Sequence, residues 1–390
     1  MKHVVFVPDG CADEPLPQLD GRTPLEAASM PNLAAMALRS EVGLARVIPE
    51  GMAPGSDVGN MSILGYDPTV YHSGRAPIEA AAMGIELAAD EVAYRCNLVT
   101  LSDADEPVMI DFAAGHVTSD QARHIVGALD ERLGGGRNGV RFHVGVEYRH
   151  ICVAPLDWSD ASCVPPHDLT GRPVVWPSGS AASGVRALMD ASRPVVNAAA
   201  AEVGSVATQI WLWGQGVKPE LPSFESRFET PGRLSSAVDL VRGLGVLAGI
   251  DVVDVPGATA GFDNDYGAQR DACLESLIDR DFFLLHVEAT DEAGHQGRVD
   301  AKVDALERWD REVIGPVAAA LDAGGERYRV LLLPDHATPC TSMTHTAAPV
   351  PYLLFDSGRS GPGGVYSETG VLGSDPVEAH LLMGRLLAPI

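Results

Sequence analysis

The sequence predicts an α/β protein, a doubly wound and mostly parallel sheet interrupted by a smaller α+β domain. Three observations point there. Short continuous apolar runs at 4–7, 282–287 and 330–333 each lead into a polar residue. Runs of that length, rich in Val, Leu and Phe, suit strands buried on both faces, as in a parallel sheet. Helical patterns at 233–247 and 299–321 alternate with them, and such alternation marks a doubly wound domain. From 75 to 207 the texture changes to short strand-like pieces (AYRCNLVTL, GVRFHVG, YRHICVAP), a helical piece (SDQARHIVGALDERL) and many Gly and Pro turns. The expected division is therefore 1–74 and 208–390 for the larger domain, with 75–207 inserted between them.

Taken in order, the first run sits in MKHVVFVPDG and stops at Pro8 and Asp9. It has neither the longer apolar region nor the small-residue cleavage site of a signal peptide, which leads to the expectation of a cytoplasmic protein. The stretch MAPGSDVGNMSILGYDP follows at 52–68, with Gly55 bending the chain before Ser56 opens a helical run. A serine at such a bend most often caps a helix. Asp291 and His295 lie four apart in TDEAGHQG, a spacing that puts both on one face of a helical turn. Asp335 and His336 follow the third run directly in LPDHATPC, and His345 comes soon after in SMTHTAAPVP.

Composition narrows the partners. The formal charge of −25 argues against nucleic acid and against anionic membrane surfaces. An anionic substrate remains compatible, because bound divalent metals and a few arginines reverse a field locally. No apolar run reaches the length needed to cross a bilayer. The six cysteines are scattered without a CxxC pair, so neither a metal finger nor a disulfide framework is expected.

Ligands of open α/β sheets sit outside the carboxyl ends of the strands. Asp9, Asp291, Asp335 and His336 all follow predicted strands, so the fold would gather them on one rim together with His295, His345 and Ser56. Carboxylate and imidazole donors with no thiolate suit Mn²⁺, Zn²⁺ or Co²⁺. Seven such donors are enough for two ions, and paired ions serve phosphoryl transfer. A hydroxyl bound to such an ion loses its proton readily, which makes Ser56 a nucleophile rather than a cap.

Read together, the stretches PDGCAD, PGSDVGNMSILGYDP, GRAPIEAAAMGIEL, YRCNLVTL, AGHVTSDQA, PPHDLTGRP, WLWGQG, HVEATDEAGHQG and PDHATP…THT…PVP span the chain in order. The sequence resembles the cofactor-independent phosphoglycerate mutases of the archaeal type, a branch of the alkaline phosphatase superfamily. The resemblance implies a metal-binding phosphatase-like domain with an inserted domain that caps the substrate. It implies two divalent ions, Mn²⁺ before Co²⁺, Zn²⁺ or Mg²⁺, one held by Asp291, His295 and His345. The other would be held by Asp9, Asp335, His336 and the Ser56 oxygen. Ser56 would carry the phosphoryl group between the hydroxyls of a small phosphorylated carboxylic acid, 3-phosphoglycerate becoming 2-phosphoglycerate. Arg75, His116, Arg95 and Arg149 lie in insert motifs and are candidates for the substrate's carboxylate, phosphate and hydroxyls, because arginine binds such anions as a two-point fork.

The chain departs from the family pattern at Ala337 in DHATP, at Met343 where an arginine is usual, and in GRAP and FAAGH. These changes leave phosphoryl transfer intact. They keep open a phosphohydrolase or phosphomutase acting on a phosphoglycerate-like or phosphonate analogue. A non-catalytic metal-binding scaffold is the reading of another class, and it would have no use for a hydroxyl among its ligands.

Overall fold

The structure is a computed structural model that describes residues 1–136 and 139–389. Its strands are β1 (Lys2–Pro8), β2 (Glu41–Arg46), β3 (Glu91–Leu101), β4 (Met109–Asp111), β5 (Arg141–Val146), β6 (Arg149–Pro155) and β7 (Gln209–Gly216). They continue as β8 (Gly232–Ser235), β9 (Asp251–Val252), β10 (Phe282–Val287), β11 (Tyr328–Leu332), β12 (Val350–Asp356) and β13 (Val377–Glu378). Two compact units result, one made of Met1–His72 with Leu221–Ile390 and the other of Ser73–Glu220.

The first unit is an eight-stranded sheet in the order β13-β2-β12-β11-β1-β10-β8-β9. The pairs β1/β10, β1/β11, β10/β8, β8/β9 and β13/β2 are parallel, and β12 alone runs against its neighbours. The three apolar runs become β1, β10 and β11 at the centre, where they are buried on both faces. Val4, Phe6, Phe283, Leu285, Val330 and Leu332 share one core with Trp309, whose ring meets Phe6 edge-on at 6.2 Å. The central strands are parallel, so β1, β10 and β11 deliver their carboxyl ends to the same rim.

Two helical expectations are corrected. The stretch 233–247 is not one helix: its first residues form β8, and the helix is Asp239–Leu247. Arg233 and Leu234 pair with Phe283 and Leu284 of β10, so sheet hydrogen bonds to a distant strand override the local helical pattern. The stretch 299–321 forms Val299–Trp309 and Gly315–Gly324, joined by a π-helical segment at Asp310–Ile314. Pro316 has no N–H for an ordinary helical bond, and the Gly315 N–H reaches back to Asp310 O instead.

The second unit is a five-stranded antiparallel sheet ordered β4-β3-β6-β5, with β7 added on β3. β7 places 208–220 with this unit, so the insert extends beyond the expected boundary at 207. Helices Ser119–Leu133 and Ala182–Val203 bury Ile125, Val126, Leu129, Val185 and Met189 in one cluster with Tyr94, Leu98 and Trp211 of the sheet. The first helix opens with a reciprocal cap between Thr118 and Gln121. Among the described residues no helix is long and apolar enough to cross a membrane.

Candidate active site

Four segments bring the expected ligands of the first unit together. Asp9 directly follows β1, with no exposed surface, and its carbonyl accepts a bond from the Thr290 hydroxyl. Asp291 and His295 lie on the short helix Ala289–His295, one turn apart, with His295 Nε2 at 3.2 Å from Asp291 Oδ2. Asp335 and His336 follow β11 and are fully buried. His336 Nε2 stands 3.4 Å from Asp9 Oδ1 and 3.5 Å from Asp335 Oδ2, while its Nδ1 is 4.0 Å from Asp291 Oδ1. His345 stacks on His336 at 3.9 Å between ring centres and puts Nε2 3.6 Å from Asp291 Oδ1 and 2.8 Å from His295 Nε2.

Ser56 is the first residue of the helix Ser56–Ile63, whose cap is Gly55 and which has no side-chain cap bond. The capping role is therefore absent. Its Oγ lies 3.3 Å from His336 Nε2 instead, and Asn60 fixes the turn by donating to both Ser56 O and Asp335 Oδ2.

In the second unit, Glu79 joins two of the insert candidates: Arg75 Nε is 3.3 Å and Arg95 Nε 2.9 Å from its carboxylate. Arg95 is buried, with its guanidinium stacked 4.3 Å over the Trp213 ring, and burial lowers its pKa to about 10. Arg149 and Arg75 both act on Arg95 electrostatically, so the three arginines form one basic cluster. His167 of PPHDLTGRP joins it, 5.3 Å from the Trp213 ring, with its pKa lowered by burial and by Arg95 and Arg75. His116 sits apart in a run of three left-handed residues, Ala114, Gly115 and His116, held by Asp111 accepting from the Ala113 and Gly115 amides.

The comparisons bear on this arrangement. A model of the family described as 2,3-bisphosphoglycerate-independent phosphoglycerate mutase matches residues 37–201. A Methanosarcina acetivorans protein of that name is 42% identical over 400 residues, covering 99% of this chain and 100% of its own. One from Methanothrix thermoacetophila is 46% identical over 366 residues, covering 92% of this chain and 91% of its own. The chain belongs to this family. Among solved structures, a Pyrococcus horikoshii protein matches with a TM-score of 0.81 at 26% identity, covering 99% of this chain and 97% of its own. The cofactor-independent phosphoglycerate mutase of Thermoplasma acidophilum matches with a TM-score of 0.67 at 26% identity, covering 99% of both chains.

Members of a metal-dependent phosphoryl-transfer family need donors that are poor partners for one another, and this chain has them. Asp9 Oδ1 and Oδ2 and His286 Nε2 are buried with no hydrogen-bond partner. Burial, then Asp335 and Asp291, push the Asp9 carboxyl well above the usual range, and burial, then Asp9 and Asp291, raise Glu288 beside it. Burial opposes the charge on Asp291, but hydrogen bonds from His295 and His345 hold its pKa well below the usual range. The Asp291 carboxylate in turn raises His295 to about 9. Unpaired buried carboxylates facing imidazoles are costly unless a cation lies among them. The donor set fits divalent ions.

At Met343 and Ala337, two of the departures noted in the sequence, the contacts are made by the backbone. Met343 has an exposed side chain and a left-handed backbone, and its carbonyl accepts from His295 Nδ1 at 3.0 Å. Ala337 bridges Cys11, Ala12 and Thr346 by main-chain pairing. Sequence reasoning missed His286, Thr338 and His167. Thr338 Oγ1 contacts both Asp291 Oδ1 and His336 Nδ1, and so links the two ligand groups. A histidine inside an apolar strand was the available signal for His286, since a polar ring has no place there without a partner.

Proposed function

We propose that this chain interconverts 3-phosphoglycerate and 2-phosphoglycerate without 2,3-bisphosphoglycerate, through a phosphoserine on Ser56. The observation that carries the reading is the Ser56 hydroxyl, free of any capping bond and turned towards His336 at the edge of the buried carboxylates and imidazoles. Two divalent ions, Mn²⁺ first among them, would be held by Asp291, His295 and His345 and by Asp9, Asp335, His336 and Ser56. When bound they supply charge that lowers the pKa of the serine hydroxyl and neutralises phosphoryl oxygens.

Ser56 Oγ attacks phosphorus as the bond to the glycerate oxygen breaks, and that oxygen takes up a proton. The neighbouring glycerate hydroxyl then attacks the phosphoserine, gives up its proton and restores Ser56. Ser56 opens a helix, so backbone N–H groups and the positive end of the helix dipole favour the transferred phosphoryl charge. Arg75, Arg149 and His116 are proposed to hold the substrate's carboxylate and hydroxyls, the left-handed run at 114–116 fixing His116 for that task. Arg95, committed to Glu79 and Trp213, adds charge to this cluster rather than a free fork. Exclusion of water during the phosphoserine's life separates a mutase from a phosphohydrolase. A cytoplasmic setting belongs to this reading, supported by cysteines that are all free thiols.

The test is an enolase-coupled assay with 3-phosphoglycerate and Mn²⁺ and without 2,3-bisphosphoglycerate. Turnover is expected, abolished by chelation and restored by Mn²⁺ or Co²⁺. Ser56→Ala is expected to lower kcat by several orders of magnitude and to lose the phosphate found on the Ser56 peptide after rapid quenching. Release of inorganic phosphate with no 2-phosphoglycerate would replace this reading by a phosphohydrolase. Near wild-type turnover in Ser56→Ala would remove its nucleophile.

A further inference from the structure

We propose that His286 is a direct metal ligand, binding through Nε2 the ion shared by Asp9 and Asp335. His286 is the penultimate residue of β10, with no exposed surface, and Gln269 Nε2 donates to its carbonyl at 3.1 Å. Its Nε2 lies 3.0 Å from Asp9 Oδ2, yet neither atom has a hydrogen-bonded partner. At the other side of the ring, Nδ1 is 3.1 Å from Ser236 Oγ, which already accepts the Val238 N–H at 3.0 Å. Ser236 Oγ has room for a second accepted bond, and with the proton on Nδ1 the ring donates to Ser236 and leaves an Nε2 lone pair with no hydrogen to fill it. If the proton sat on Nε2 instead, a fully buried N–H would stand beside a carboxylate at bonding distance and still miss it.

Asp9, His286 and Asp335 each offer one donor atom, and the three atoms lie within 4.8 Å of one another. Two carboxylates and an imidazole make a donor set for Mn²⁺, Co²⁺ or Zn²⁺. A ligating histidine characteristically gives its other N–H to a neighbouring oxygen, which fixes the tautomer and the ring direction. Ser236 occupies that position. The inference rests on the two-ion reading and adds an imidazole to the donors of Asp9, Asp335, His336 and Ser56.

The test uses full-length protein labelled with ¹⁵N-histidine and loaded with ¹¹³Cd²⁺, in which each metal–nitrogen bond splits the imidazole resonance by one-bond coupling. Four coupled histidines are expected, namely His286, His295, His336 and His345. His286→Gln is expected to delete one coupled signal. Ser236→Ala, which keeps the ring, is expected to shift that same signal, so the assignment stands even if the glutamine variant folds poorly. An uncoupled His286 resonance alongside three coupled ones and two bound Cd²⁺ per chain would overturn the inference and reduce His286 to a hydrogen-bond donor that orients Asp9. Failure of the two-ion reading has a different signature, with no stoichiometric Cd²⁺ and no coupling at any histidine.

Discussion

Gly10 shows how closely the ligand loops approach one another. It adopts φ +57, and a Cβ there would fall on Asp291 Oδ1 and Thr338 Oγ1. A left-handed alanine costs about 1–2 kcal/mol by itself. Asp291 is a proposed direct ligand, so its displacement should cost at least what loss of an outer-shell partner does, typically a factor of about 10–100 in affinity. Gly10→Ala is therefore expected to lower Mn²⁺ affinity at least about tenfold, measured by chelator competition; an unchanged affinity would mean that the loop yields freely. A second residue-scale effect belongs to His150, which is buried with Nδ1 accepting the Gly145 N–H and Nε2 unpartnered. Burial, then Arg149, lowers its pKa to about 3. The folded state thus binds fewer protons than the unfolded one, and stability falls as pH drops from about 6.5 towards about 3. Between pH 7 and pH 5 the loss should be about 2 kcal/mol. Urea unfolding followed by tryptophan fluorescence reports it, because Trp158, Trp176, Trp211 and Trp213 all lie in the second unit. A His150→Gln variant with the same pH slope would rule this group out as the cause.

At the scale of elements, the helix Val299–Trp309 braces the ligand loops from below. Lys302, with no exposed surface, donates to Asp13 Oδ2 and Thr338 O at 2.8 Å each, and Asp13 in turn accepts the Cys340 N–H. One ammonium therefore ties the loop after β1 to the loop after β11. Removing one partner of a buried ion pair strands the other charge, which costs about 3–5 kcal/mol. Lys302→Met should destabilise by that amount, and Lys302→Met with Asp13→Asn by clearly less, in chemical denaturation. Equal losses in the two variants would show that packing rather than charge is at stake. Lys302 was present in the helical pattern at 299–321, yet nothing local distinguished it from a solvated lysine. Its meaning depends on Asp13 and Thr338, far away in sequence. The helix Ser119–Leu133 was legible to its ends because its cap and its apolar face are both local. β8 was not, because Leu234 is a strand residue only by virtue of β10.

Across the whole molecule, the doubly wound class was legible because β1, β10 and β11 are buried on both faces and their sequences say so. Asp9, Asp291, Asp335 and His336 could be grouped from the sequence because they follow those strands, whereas Ser56, His295 and His345 were grouped with them by motif. His286 was hidden because a histidine within a strand acquires a role only when Asp9 and Asp335 arrive from two other strands. The insert's far boundary was hidden for a related reason, since β7 belongs where β3 is. Chain leaves the insert close to where it begins: Ser73 Oγ donates to Val217 O, and Gly74 packs on Gln215 and Gly216. With its own core and adjoining ends, a 73–220 fragment is expected to fold alone with one cooperative transition, seen by circular dichroism and dispersed amide resonances. A fragment that stays unfolded would show that its core needs the first unit.

That contiguity also sets an order of events on the ribosome. β1 and the Ser56 segment are made before the insert, but β1 pairs with strands at Phe282–Val287 and Tyr328–Leu332, which are made after it. The insert contains all of its own partners and can complete its sheet while those strands are still untranslated. The nascent amino-terminal segment, nucleophile included, therefore waits beside a finished neighbour with an unpaired apolar strand exposed, and it is this interval that chaperones have to cover.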